Sequence, residues 1–265
     1  MSVLLQISDT HFGTERPPVV DALAALARQQ RPDLVVLSGD ITQRARPAQF
    51  RAARAFTDRL AVPVLAVPGN HDIPLLDLWS RWRHPYARHR AAFGEALEPV
   101  FEAPDLLVLG VNTTRAWRHK HGEVSAAQIE RVAGRLATAG ARQLRVVVVH
   151  QPVAVTRGQD APNLLRGRAE ALRRWASAGA DLVLGGHIHL PFVVPLPGPE
   201  RPVWAVQAGT AVSARVREGV PNSVNLIRWG AGAPPGECVV EQWDFSEADR
   251  AFACVRTTPV RPHRG

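Results

Sequence analysis

The sequence predicts an α/β protein finished by a mostly β C-terminal part, and three observations carry that prediction. Apolar runs of strand length alternate with helix-like segments up to His189, the pattern of strands joined by helical crossovers. Beyond His189 the helical spacing gives way to Pro, Gly and short Val-rich runs, which read as antiparallel strands and turns. Asp, Asn and His recur just where the early strands end, the place where open α/β sheets bind ligands.

The elements follow in order. Residues 3–7 read as the first strand, and a helix over 16–30 carries Pro17 and Pro18 near its start, where a missing N–H does no harm. A strand at Leu34–Leu37 leads to a helix over Pro47–Leu60, with Phe50, Ala53, Phe56 and Leu60 on its apolar face. Residues 62–67 make the third strand, and one helical stretch rich in Trp and Arg occupies 75–93. Strands at 106–111, 144–149 and 182–184 alternate with helices at 125–139 and 166–178. The strands expected after His189 are 192–194, 203–207, Ser223–Trp229, 239–245 and 252–257. No repeat with a solenoid period interrupts this order.

A chain of 265 residues, 46% hydrophobic and 21% charged, is long enough for one domain with a sizeable core. No low-complexity linker divides it. The expected organisation is a single domain over 1–265, with its motifs in 3–210 and C-terminal strands in 211–258. No apolar run approaches the roughly 20 residues of a membrane span, so no membrane partner is expected. The N-terminal stretch Met1-Ser-Val-Leu-Leu-Gln-Ile lacks the pattern of a secretory signal, and a cytoplasmic location is the expectation. Cys238 and Cys254 are too few for a disulfide framework and read as small buried residues. The net charge is +8, almost wholly from arginine, with Lys120 the single lysine. That balance suits anionic partners such as phosphate esters or nucleic acid, and it equally reflects an arginine-rich composition.

The strand ends carry the chemistry. They read Ser8-Asp9-Thr10-His11, Ser38-Gly39-Asp40, Pro68-Gly69-Asn70-His71-Asp72, His150-Gln151-Pro152 and Gly185-Gly186-His187-Ile188-His189. Each alone is an ordinary turn or helix cap. Together they supply the carboxylate, amide and imidazole donors that suit Mn, Fe or Zn, without the cysteines of most structural zinc sites. His187 and His189 stand two apart, and on extended backbone such side chains share one face.

In this order and spacing the five motifs resemble the calcineurin-like metallophosphoesterase superfamily, over residues 3 to about 210. The His150-x-Pro and Gly-His-Ile-His forms are similar to those of bacterial class III cyclic-nucleotide phosphodiesterases. The resemblance implies a four-layer αββα sandwich and two divalent metal ions. Asp9, His11 and His189 would hold one ion, and Asn70, His150 and His187 the other, with Asp40 bridging both. It implies a phosphodiesterase acting by a metal-bridging hydroxide on a small phosphate ester, with cyclic nucleotides such as 3′,5′-cAMP as the expected substrates. A DNA or RNA exonuclease, a repair nuclease or a broad phosphomonoesterase are the alternatives. A non-catalytic scaffold fits least, because every ligand position is filled. His71 is the expected proton donor to the leaving group, with Asp72 paired to it.

Further positions are weaker. Asn112, His119 and His121 fall where relatives carry a loop near the substrate. Gln151 stands where many members of the family it resembles carry a second histidine, so this position departs from their pattern while the metal ligands match it. In 79–90, aromatic and basic residues interleave; this suits stacking of nucleobases, but core aromatics behind a solvated arginine face are the expected arrangement.

Overall fold

The computed structural model describes residues 2–197, 201–230 and 236–263. Its elements are β1 (Ser2–Ile7), α1 (Pro17–Gln30), β2 (Leu34–Leu37), α2 (Pro47–Leu60), β3 (Val64–Ala66), α3 (Leu78–Arg83), α4 (Ala87–Phe93), β4 (Val100–Ala103) and β5 (Leu106–Gly110). There follow α5 (Ala126–Ala137), β6 (Leu144–Val148), α6 (Arg168–Ser177), β7 (Leu182–Gly185), β8 (Phe192–Pro195), β9 (Trp204–Gln207), β10 (Ser223–Trp229), β11 (Cys238–Ser246) and β12 (Ala251–Val260).

These strands build two six-stranded sheets, ordered β12-β11-β10-β1-β2-β3 and β4-β5-β6-β7-β9-β8. β1, β2 and β3 run parallel to one another, as do β5, β6, β7 and β9. β1 shows why the layers form. Leu5 and Ile7 pack with Val19, Leu23, Ala53 and Phe56 of α1 and α2, whereas Leu4 packs with Val146 and Leu184 of the second sheet. Alternate side chains of one strand thus enter two different cores. Strands covered on both faces must be apolar on both, which is why their sequences read as continuous hydrophobic runs. The outer face of the second sheet is closed by α5 and α6, where Trp175 is fully buried and donates its indole N–H to the Ile129 carbonyl at 3.2 Å. The result is the expected four-layer αββα sandwich.

Local sequence fixes the helix ends. Pro stands in the first turn of α1 and α2, and each helix stops at a residue in the left-handed region, Arg31 and Ala61. At α5, the Ser125 hydroxyl accepts from the Gln128 N–H while the Gln128 side chain accepts from the Ser125 N–H, a reciprocal cap.

Several expectations need correction. The single helix over 75–93 is two short helices, α3 and α4, broken at His84-Pro85, because the residue before proline disfavours helical backbone. The strand over 62–67 shortens to β3, and β4, a partly exposed edge strand, had no strong apolar run to announce it. Cys238 is buried, but Cys254 is exposed on the neighbouring edge strand β12.

Polar residues also sit between the sheets near the site. Gln6 donates to the Gly185 carbonyl at 3.0 Å, and Asn225 donates to Gln6 Oε1 at 3.0 Å and to the Gln207 carbonyl at 3.2 Å. The bonds to the Gly185 and Gln207 carbonyls join the first sheet to the second beneath the residues that follow β7, and the bond between Asn225 and Gln6 ties the two donors together.

Candidate metal centre

Parallel strands put their carboxyl ends at one edge, and here the ends of β1, β2 and β3 meet those of β6 and β7. Five residues at these ends, Asp9 (φ 51°), His11 (φ 41°), Asp40 (φ 48°), His187 (φ 74°) and His189 (φ 55°), occupy left-handed backbone. That conformation is uncommon for residues with a Cβ and marks sites where the surroundings impose geometry. The expectation of an extended 187–189 segment is therefore wrong: β7 ends at Gly185, and both histidines are turned by tight loop backbone. Two glycines let the loops press together. A Cβ on Gly69 would lie 2.0 Å from the Asp40 nitrogen, and one on Gly186 would lie 2.0 Å from Ser8 Oγ.

Two donor clusters result, with a third group overlapping them. Asp9, His11 and His189 offer ligand atoms within 4.8 Å of one another, as do Asp40, His150 and His187, and His11 and Asp40 also stand within that distance of His71. His189 Nε2 stands 3.2 Å from Asp9 Oδ1 and 3.2 Å from His11 Nε2. Asp40 joins the clusters: Oδ1 is 3.3 Å from His150 Nε2, and Oδ2 is 4.0 Å from His11 Nε2. Among the described residues, Asn70 Oδ1, His150 Nε2 and His187 Nδ1 are buried with no hydrogen-bond partner. Buried polar atoms are rarely left so. Unpaired donors of metal-ligand type around a carboxylate shared between two clusters fit a pair of divalent cations.

The surrounding bonds orient these donors. His150 Nδ1 donates to the Ser38 carbonyl at 2.8 Å, and His189 Nδ1 donates to the Arg215 carbonyl at 2.7 Å. Each turns Nε2 toward the carboxylates at the centre, the usual arrangement behind a metal-bound imidazole. Asp9 Oδ2 is taken by Ser8 Oγ (2.7 Å) and the His187 N–H (2.9 Å). Burial pushes His11 and His187 down to about 3, which keeps both neutral. Burial would depress His150 as well, but Asp40 outweighs it and the imidazole is pushed up to about 9. Burial would raise Asp40, yet the His150 charge beside it holds the carboxyl well below its ordinary range.

The remaining predicted residues divide. His71 is half-buried beside the second strand's loop: its N–H donates to Asp40 Oδ1 at 2.8 Å and its Nδ1 to the Gln43 carbonyl at 2.9 Å. Its ring stands edge-on to His11 with centroids 4.9 Å apart. Asp72 does not pair with His71. Its carboxylate accepts from the N–H groups of Ile41, Thr42 and Gly69 at 3.0, 2.8 and 2.9 Å, because it turns back under the loop instead of outward. Burial, with the charge of Asp40, pushes Asp72 up to about 6. Asn112 spends its side-chain oxygen on the N–H and hydroxyl of Thr114, at 3.0 and 2.7 Å. His119 lies on the exposed loop that follows, close enough for Arg81 and His71 to add to the burial that lowers it. His121, half-buried, shares that loop. Gln151 is fully buried, accepts from Thr113 Oγ1 at 2.6 Å and donates to the Lys120 carbonyl at 3.3 Å, so it anchors the loop.

The interleaved 79–90 segment is not a core stripe with a charged back. Trp79 and Trp82 are 63% and 79% exposed, since α3 is too short to bury them, while His89 is the buried member. Across a groove of about 640 Å³, Trp82 faces the loop bearing Trp117. Sequence reasoning missed Gln43 and Arg215. Arg215 Nη1 donates to Gln43 Oε1 at 2.8 Å and stands 3.4 Å from His71 Nε2. Gln43 follows Asp40 closely enough to have been read with it; Arg215 lies beyond every motif and carried no signal.

Fold and site together define a protein of the αββα class with a dinuclear metal centre at the meeting of its sheets. The chain belongs to the calcineurin-like phosphoesterase family, whose profile matches residues 2–191. It is 29% identical over 202 residues to a cAMP/cGMP dual specificity phosphodiesterase of Mycobacterium tuberculosis, covering 71% of this chain and 61% of that one. It is 39% identical over 83 residues to a glycerophosphodiester phosphodiesterase of Enterobacter lignolyticus, covering 26% of this chain and 29% of that one. The chain thus spans less than two thirds of the length of either relative. Its fold is similar to that of a dimetal phosphatase from Danio rerio, with a TM-score of 0.69, 17% identity and 99% of both chains covered.

Proposed function

We propose that the chain hydrolyses phosphodiesters at this centre, with cyclic nucleotides such as 3′,5′-cAMP as its substrate class. The observation that carries the reading is Asp40, with one carboxylate oxygen toward each of two donor clusters, beside Asn70 Oδ1, His150 Nε2 and His187 Nδ1, which are buried without a hydrogen-bond partner among the described residues. The phosphodiesterase names of both relatives support diesters over monoesters.

Asp9, His11 and His189 would hold one cation; Asn70, His150 and His187 would hold the other, and Asp40 would serve both. When bound, such a pair supplies Lewis acidity toward phosphoryl oxygens and lowers the pKa of coordinated water. The chain supplies the rest. Two carboxylates offset part of the cationic charge, and the amide oxygen of Asn70 contributes a neutral donor that preserves electrophilicity. His71 keeps one proton on Nδ1, bonded to the Gln43 carbonyl. In its imidazolium form the second proton therefore sits on Nε2, the atom turned toward the open site, and passes from there to a departing ester oxygen, leaving neutral imidazole.

Cleavage of nucleic acid is a second reading with one observation behind it. The exposed indoles of Trp79, Trp82 and Trp117 lie near arginines, a surface on which bases stack. Mn-loaded protein assayed side by side on 3′,5′-cAMP, bis-nitrophenyl phosphate, nitrophenyl phosphate and single-stranded DNA separates these. Cyclic-nucleotide and diester turnover without DNA cleavage supports the proposal. Salt-sensitive DNA cleavage, or preference for the monoester, overturns it.

A further inference from the structure

Arg215 is electrostatically out of place. Its guanidinium stands 3.4 Å from His71 Nε2 and 3.5 Å from His11 Nδ1, at the rim of a centre built to gather cations. Guanidiniums near such groups are normally held by carboxylates, as Arg217 is by both oxygens of Asp160 at 3.0 Å. No carboxylate pairs with Arg215 among the described residues, and its side chain meets one oxygen, Gln43 Oε1 at 2.8 Å. All of these contacts fall on Nη1, and the Nε and Nη2 donors of the planar fork have no hydrogen-bond partner among the described residues.

The position is nevertheless rigid. The Arg215 carbonyl receives His189 Nδ1 at 2.7 Å and Thr210 Oγ1 at 3.2 Å, and its N–H donates to Ser213 Oγ at 3.0 Å. Gln43 fixes two groups at once, His71 through its backbone carbonyl and Arg215 through its side chain. A half-buried cation held in place without an anion is prepared to receive one. A guanidinium fork matches two oxygens of a phosphoryl group.

We infer that Arg215 is a substrate-binding residue, whose fork takes a non-bridging phosphoryl oxygen on the His71 side of the site. This rests on the phosphoesterase reading for the identity of the anion. It places a third cationic contact opposite the metal clusters and aligns the ester so that its leaving oxygen faces His71.

The test is inorganic phosphate binding to the full chain loaded with Mn, measured by calorimetry with Mn content determined on the same samples. Arg215→Ala keeps the backbone carbonyl that orients His189, so Mn content should match wild type while phosphate affinity falls at least tenfold. Added guanidinium should restore part of that affinity. Arg215→Gln, which keeps a hydrogen-bonding side chain but no charge, should show the same loss and decides the matter should the alanine variant shed Mn. Phosphate affinity within twofold of wild type in either Mn-loaded variant overturns the inference, as does wild-type protein that binds no phosphate. Phosphate binding that depends on Arg215 in a protein inert toward every diester would leave the inference standing and remove the phosphodiesterase reading instead.

Discussion

His71 and Asp72 are adjacent in sequence and face opposite ways, and their separate surroundings imply separate phenotypes. His71 has Nδ1 on a carbonyl and Nε2 toward the open site. Its alanine variant should therefore lose about 100-fold or more on esters with poor leaving groups, the lower range for general acid catalysis. Nitrophenyl esters, whose leaving group needs no proton, should lose less than about tenfold. Equal losses in kcat on the two classes would remove the proton-donor role. Asp72, by contrast, ties together the loops after β2 and β3 through three backbone N–H groups. Truncation to alanine leaves those buried donors unpaired, and each such group costs about 1–3 kcal/mol. Asp72→Ala should destabilise the fold by at least about 3 kcal/mol in chemical denaturation; a change under about 1 kcal/mol would contradict the bracing role. The donor residues were legible because metal chemistry restricts residue types at strand ends. The direction Asp72 faces was not, since the sequence cannot tell a carboxylate turned under its loop from one turned outward. Arg215 was illegible for a related reason: long-range folding alone brings it to His71.

At the level of elements, α4 was merged with α3 by a sequence reading that followed aromatic spacing across Pro85. The structure assigns them different jobs. α3 leaves its indoles exposed, while α4 packs His89 against Phe50 of α2 and against Phe93, with ring centroids 6.2 and 5.4 Å apart. Neither His89 ring nitrogen has a hydrogen-bond partner among the described residues, and burial pushes the imidazole down to about 4. The unfolded chain takes up this proton near 6.5 and the folded one only near 4, so stability is intact above 6.5 and declines as pH falls between the two values. The full loss is about 3 kcal/mol at roughly 1.4 kcal/mol per pKa unit. His89→Leu should flatten this decline in denaturation measured between pH 7 and about pH 4; an unchanged pH slope would show that His89 titrates freely. Elements with strong periodicity, β1 through α2 and α5 through β7, matched the sequence reading closely because both faces of their strands are buried. The edge strand β4 and the short helices escaped it because packing, more than local pattern, decides them.

For the whole molecule, the centre lies across the division between two sheets. Asp9, Asp40 and Asn70 follow strands of the first sheet, whereas His150, His187 and His189 follow strands of the second. Each cluster draws donors from both. Below them, hydrogen bonds from Gln6 and Asn225 and the apolar core shared by both sheets cross the same boundary. Bound cations would thus clamp the two sheets, and the unfolded chain cannot reproduce their site. Linkage then requires metal to stabilise the fold, by about 2.7 kcal/mol for one site at a free concentration one hundred times its Kd. For a chain of this size that corresponds to a Tm higher by roughly 5–10 °C. Thermal unfolding in excess Mn and in chelator should differ by about that amount. In Asp40→Ala, which removes the carboxylate common to both clusters, the difference should shrink to a small fraction of the wild-type value. A wild-type Tm indifferent to chelator would mean that the donors at the strand ends do not act together as a metal centre, whatever their spacing.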